Sequence, residues 1–257
     1  MLISFKHLCR YAAAFGGFGV IAGLFFGAVA SAWSTLPTVQ TAPPQALAEL
    51  EAESPPTVIL DAGHGGEDGG AVSAGGLAEK SLNLSIVLTL GDMLEAAGVE
   101  VIYTRTEDDG LYEGAVPGHR KMTDLKNRLA VRQAHPQALF LSVHMNTFSD
   151  PRYDGMQIFY PAGSEDSRAA AELLRQTNLT YLQPDNTRAC KAATSAIYLL
   201  DRADPSSVTL LAECGFLSNP EEAARLATPE YREKAAAVLC AGILEYLNSN
   251  TTEKSTT

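Results

Sequence analysis

Apolar positions along this chain switch between two rhythms, and the switching predicts its architecture. "TVILDAGHGG" opens at Thr57 with an unbroken β-prone run. "EKSLNLSIVLTLGDMLEAAG" then spaces Leu82, Ile86, Leu90 and Leu94 at helical intervals, with Gly98 as a stop. "VEVIYTR" reads as a strand, and "MTDLKNRLAVRQAH" as a helix capped by Thr123 or Asp124. Further strands are expected at "ALFLSVHMN", "GMQIFYP", "AIYLL" and "SVTLLAECGF". Helices are expected at "DSRAAAELLRQTNLTYL", "NPEEAARLA" and "PEYREKAAAVLCAGILEYL". This alternation predicts one α/β domain over residues 57–247, with a largely parallel twisted sheet flanked by helices on both faces. The polar tail, residues 248–257, reads as disordered.

The pattern differs before Thr57. Residues 11–33, "YAAAFGGFGVIAGLFFGAVASAW", carry no charge and are long enough to span a bilayer. Lys6 and Arg10 precede them and no positive residue follows until Lys80, so residues 1–10 are expected in the cytoplasm and the rest outside. "AVASA", Ala28 to Ala32, offers a small-residue cleavage site, which would make the segment a removed signal peptide. Its length favours a retained membrane anchor. Either reading exports the domain. Residues 34–56, rich in Pro, Ala, Thr and Ser, read as a linker.

Composition narrows the partners. A net charge of −11 argues against a nucleic-acid backbone. The four cysteines, Cys9, Cys190, Cys214 and Cys240, show no C-x-x-C spacing. A zinc ribbon is therefore not expected, and the three after the apolar segment read as buried free thiols, with a disulfide between two of them as the alternative.

Open α/β sheets place ligands beyond the carboxyl ends of their strands. Three such ends carry unusual side chains: His64 in a glycine-rich loop, His144 after an apolar run, and Glu213 after Leu210, Leu211 and Ala212. Glu79 opens the first helix just past the glycine loop. Two imidazoles and a carboxylate make a common zinc set, with a second carboxylate outside it to move the proton of a water. Each residue also has a plainer reading: His64 as a turn residue, His144 as a core histidine, Glu79 as a first-turn acid favoured by the helix dipole. Glu213 is harder to explain that way, because a buried carboxylate is costly unless paired. Glu67 and Asp68 are rival ligands, and Asp61 could orient one. His7, His119 and His135 lie away from these strand ends.

Five blocks in order resemble one family. "LDAGHGGEDGGAV", "EKSLNLSIVLTL", "VIYTR", "LFLSVHMNT" and "LLAECGFLSNPEEA" look like the zinc-dependent N-acetylmuramoyl-L-alanine amidases of the third amidase type. The resemblance implies that His64, Glu79 and His144 ligate one zinc ion and that Glu213 is the catalytic acid/base. It implies cleavage of the amide joining N-acetylmuramic acid to L-alanine in peptidoglycan. The nearest rivals are a non-catalytic wall-binding module and a different zinc hydrolase, such as a peptidase or deacetylase. One departure is visible: Ala62 stands where the family usually has proline.

"HRKMTDLKNRLAVRQAH" and "TRACKAATSAIYLLDRADPSSVTLLAECGF" are similar to the germination-specific amidases of endospore-forming bacteria. That likeness implies work in the spore cortex leading to muramic-δ-lactam, a site in the forespore intermembrane space, and a lipoprotein activator from the spore envelope. Regulated members of the family carry an inhibitory helix between the second zinc histidine and the catalytic glutamate. Here those residues, His144 and Glu213, are 69 positions apart. The pieces left over between the expected elements are short, and Pro184, Asp185 and Asn186 suit a loop. An uncovered cleft is therefore expected.

Overall fold

The computed structural model describes residues 54–254. The segments at 1–10 and 11–33, and most of the linker at 34–56, lie outside the described residues. The elements run β1 (Thr57–Ala62), α1 (Glu79–Ala96), β2 (Glu100–Tyr103), α2 (Arg120–Ala134), β3 (Leu139–Asn146), β4 (Gln157–Tyr160), α3 (Glu165–Tyr181), β5 (Lys191–Ala192), α4 (Tyr198–Asp201), β6 (Thr209–Phe216), α5 (Pro220–Leu226) and α6 (Pro229–Lys254). The strands form a sheet in the order β2-β1-β3-β6-β4-β5. Every neighbouring pair is parallel except β4 against β6. The expected α/β architecture is what is observed.

The two faces divide β1 between them. Val58, Leu60 and Ala62 pack with Leu82, Ile86 and Leu90 of α1, and with residues of α3 and α6. Ile59 turns the other way, onto Phe140, Leu129 of α2 and Leu199 of α4. Burial on both faces is why β1 reads as a continuous apolar run. The chain leaves β1 for β2 on one side and returns past it to β3 on the other. The carboxyl ends of β1 and β3 therefore flank a topological switch, where open α/β sheets place their ligands.

Gly98 does stop α1. It adopts φ +85°, with Gly98 N–H donating to Glu95 O and Val99 N–H to Leu94 O, both at 3.0 Å. Three expectations need correcting. "AIYLL" is not a strand: Tyr198–Asp201 form a short helix that packs on α2 and β6, with Leu199 and Leu200 both buried. Neither Thr123 nor Asp124 caps α2. The helix begins at Arg120, and the Asp124 carboxylate is occupied by Arg128 and by the Leu111 N–H. The tail is not disordered from residue 248, because α6 continues to Lys254. Extending a packed helix costs far less than nucleating one. Cys190, Cys214 and Cys240 are free.

Asp124, Arg128 and Arg132 form a polar ladder on the inner side of α2, where apolar residues would be usual. Arg128 is 1 % exposed and forms an ion pair with the fully buried Asp61 of β1. It also donates to Ala62 O at 2.8 Å and His64 O at 2.7 Å. Asp61 accepts from Thr104 and Ser142 hydroxyls as well. Burial by itself would raise its pKa, yet the Arg128 charge and the two hydroxyls hold it below the ordinary value. Replacing Arg128 by Met should leave Asp61 buried and uncompensated, and should cost about 3–5 kcal/mol in a urea melt. A loss below about 1 kcal/mol would show that this ion pair contributes little net stability.

Candidate metal centre

β1 ends in a loop that places His64 against the sheet. His64 has φ +61°, a left-handed conformation that side chains other than glycine seldom adopt. Such strain persists only where the surroundings over-determine it. Here they do: Arg105 donates to Ala62 O and Gly63 O, Arg128 to Ala62 O and His64 O, and Asn83 to Gly63 O. The two arginines thus hold the Ala62 carbonyl in place. Gly63 and Gly70 are required by close approach to the centre itself. A Cβ on Gly63 would lie 2.2 Å from the His144 ring, and one on Gly70 would lie 2.5 Å from Glu79 Oε2.

The same loop caps α1. Glu79 N–H donates to Ala71 O at 2.8 Å and Lys80 N–H to Gly69 O at 3.2 Å. These bonds satisfy orphan donors of the first turn and fix Glu79 beneath the loop. Its carboxylate accepts from Ala71 N–H at 2.7 Å and Met145 N–H at 2.9 Å. Glu79 Oε1 lies 3.3 Å from His64 Nε2 and 2.9 Å from His144 Nδ1. Burial opposes its ionisation, but the two imidazoles outweigh burial and hold its pKa far below the usual range. His64 shows the converse: burial works against its proton, while Glu79 and Asp68 draw it upward.

His64, Glu79 and His144 each offer a ligand atom, all within 4.8 Å of one another. His144 lies opposite Glu213 in the β3–β6 register, and a bulge follows it. Burial pushes the Glu213 carboxyl up to about 7. Its Oε2 is enclosed and has no protein hydrogen-bond partner. A buried oxygen left unpaired is unusual and calls for an unseen partner. Two imidazoles and a carboxylate, with this oxygen beside them, fit a metal with an accessible position for water.

All four expected site residues therefore meet at one place. The rival acids do not join them as ligands. Asp68 Oδ2 lies 3.0 Å from His64 Nδ1, where it orients the ring, and the exposed Glu67 pairs with Arg120. Asp61 touches neither imidazole and reaches His64 only through Arg128. Sequence reasoning missed Arg105, Arg128 and Asn83. The polar ladder at positions 124, 128 and 132 was the available signal for Arg128. As for a plug, α3 packs on α6 and β4, and α4 on α2 and β6. The His64 and His144 side chains stay 18 % and 19 % exposed.

Comparison with known proteins gives this geometry its context. Residues 58–245 match the family model described as N-acetylmuramoyl-L-alanine amidase (Amidase_3). A germination-specific N-acetylmuramoyl-L-alanine amidase of Bacillus subtilis is 35% identical over 191 residues, covering 74% of this chain and 78% of that protein. The CwlD amidase of Clostridioides difficile, solved in complex with the GerS lipoprotein, is 35% identical with a TM-score of 0.71, covering 76% of this chain and 99% of that one. The amidase AmiC2 of Nostoc punctiforme is 30% identical with a TM-score of 0.63, covering 75% and 97%. A match across nearly all of the described domain, with its strand ends converging on one centre, makes this chain a member of the N-acetylmuramoyl-L-alanine amidase family, the hydrolases that cut muramic acid from L-alanine in peptidoglycan.

Proposed function

We propose that this amidase holds one zinc ion on His64, Glu79 and His144 and uses Glu213 as its acid/base. The observation that carries the reading is the enclosed, unpartnered Oε2 of Glu213 on the strand beside His144. Zinc bound there supplies Lewis acidity to the scissile carbonyl and lowers the pKa of water beside it. Glu213 takes the proton of the attacking water and returns it to the departing amine of L-alanine. Glu79 would bind as a carboxylate, the form that the two imidazoles and the Ala71 and Met145 N–H groups already favour in the metal-free site. Asp68 keeps the His64 ring turned so that Nε2 faces Glu79.

The setting is part of the proposal. The likeness to the germination-specific and GerS-bound amidases supports a spore-cortex substrate and a lipoprotein activator. Residues 11–33 serve as an anchor or signal segment that exports residues 57–247 across the cytoplasmic membrane, with 34–56 as the linker and the forespore intermembrane space as the destination. Purified enzyme on isolated cortex and vegetative peptidoglycan tests this. New amino groups should appear on alanine, faster from cortex and faster still with a spore-envelope lipoprotein present. Faster release from vegetative wall would remove the cortex assignment.

Two substitutions separate metal holding from proton transfer. His144→Ala should purify without stoichiometric zinc. Glu213→Gln should keep its zinc and lose about 10²–10⁴-fold in turnover, because the amide cannot accept a proton. Metal analysis beside the rate assay reads both. A Glu213→Gln protein that loses zinc but cleaves normally per zinc would place Glu213 among the ligands instead.

Glu213 also predicts a pH signature of the metal-free protein. Its folded pKa of about 7 lies above the ordinary value of 4.5. The folded state binds this proton more tightly than the unfolded chain, so this group makes stability fall as pH rises from 4.5 to about 7. The depressed carboxylates Asp61 and Glu79 act below that window. Denaturant melts at pH 5 and 7.5 should show a flatter pH dependence for Glu213→Gln than for the parent. Equal slopes would mean that Glu213 is well solvated.

A further inference from the structure

On the side of the centre away from His64, the sheet continues into an aromatic ledge with one cation. Gln157 of β4 lies opposite Glu213 in the antiparallel register, so the two share a face. Arg188 donates to Gln157 Oε1 at 3.2 Å and to the Asp154 carbonyl. Its guanidinium lies 4.3 Å from the Phe216 ring centre and 5.4 Å from that of Tyr153. Phe148 adds to the ledge, 4.6 Å from Tyr153. Phe148 and Tyr153 are 50% and 44% exposed, an unusual placement for two neighbouring large rings.

The ledge is held rigidly. The fully buried Glu222 accepts from Gly155 N–H at 2.9 Å and Phe216 N–H at 2.7 Å. Leu217 N–H donates to Asn146 O, and Phe148 N–H to Ser218 Oγ. Among the described residues no carboxylate forms an ion pair with Arg188, although the chain has 30 acidic residues.

We propose that Arg188 binds the α-carboxylate of the second residue of the stem peptide, with the exposed faces of Tyr153 and Phe148 beneath the peptide. This rests on the amidase reading above. The chemistry selects the peptide over the glycan. Once the lactyl carboxyl is amide-linked, the muramic unit carries no charge there for a guanidinium to recognise. The stem peptide does: its second residue is a glutamate joined onward through the γ-carboxyl, leaving the α-carboxyl free or amidated. The position along the sheet suits it. Two residues of extended chain span about 7 Å. Arg188 is held by Gln157, the residue directly opposite Glu213 in the β4–β6 register. A guanidinium stacked on a ring keeps its edge for a carboxylate, the geometry in which Arg outperforms Lys.

Two muramyl peptides that differ only in a carboxylate or carboxamide at that position test the subsite. The zinc-loaded enzyme should favour the acid by about 10–100-fold in kcat/KM, through KM, as expected for a hydrogen bond to a charged group. Arg188→Gln should bring the acid-to-amide ratio close to one, and Arg188→Lys should restore part of it. A merely structural arginine would leave the ratio unchanged and lower the melting temperature. Binding of the two peptides to zinc-loaded Glu213→Gln measures the same preference without turnover. A preference for the acid there upholds the subsite even if the parent enzyme proves inactive, an inactivity that would count against the hydrolytic assignment alone. Equal binding of acid and amide, or a preference that survives Arg188→Gln, overturns the subsite.

Discussion

The buried pair of Arg128 and Asp61 is the contact on which the rest of the centre depends. Two charges withdrawn from water cost several kcal/mol each, and an apolar pair of the same volume is often as stable. What an apolar pair could not do is donate. Arg128 uses its remaining hydrogens on the carbonyls of Ala62 and His64, while Asp61 collects hydroxyls from Thr104 and Ser142. One ion pair thereby ties α2, β1, β3 and the start of the glycine loop together. His64 can then be kept in a left-handed conformation that its own backbone disfavours.

The two glutamates of the centre show how environment divides labour between like groups. Glu79 sits between two imidazoles and takes two backbone N–H bonds, so it remains a carboxylate. Glu213 is enclosed with one oxygen unpaired, and burial raises its affinity for a proton. The first suits a cation, the second a proton that must come and go. Carboxylates whose environments push their pKa values apart are a recurring arrangement in hydrolases.

Topology explains how the two faces of the sheet are covered. α1, α3 and α6 cover one face of the sheet throughout its buried core, whereas the other face is packed chiefly by α2 and the single turn of α4. The helices between His144 and Glu213 are committed to α6, β4, α2 and β6.

Much was legible from the sequence by itself. The alternation of β-runs with 3.6-residue periodicity determined an α/β domain, because each element must bury its own apolar face. The placement of His64, His144 and Glu213 after apolar runs marked the strand ends, and the glycines around His64 marked a crowded turn. What the sequence could not decide were features carried by contacts between distant residues. "AIYLL" is apolar enough for a strand, yet in the fold it becomes a helical turn packed against α2 and β6. Asp124 looked like a cap until Arg128 occupied it. Asp68 and Glu67 are adjacent in the chain, yet one orients His64 and the other pairs with Arg120, a distinction set by which way the loop folds. The left-handed turn at His64, the enclosed oxygen of Glu213 and the stacking of Arg188 on Phe216 all arise from neighbours dozens of positions away. Local propensity registers none of them, because their energies exist only once the sheet has brought the partners together.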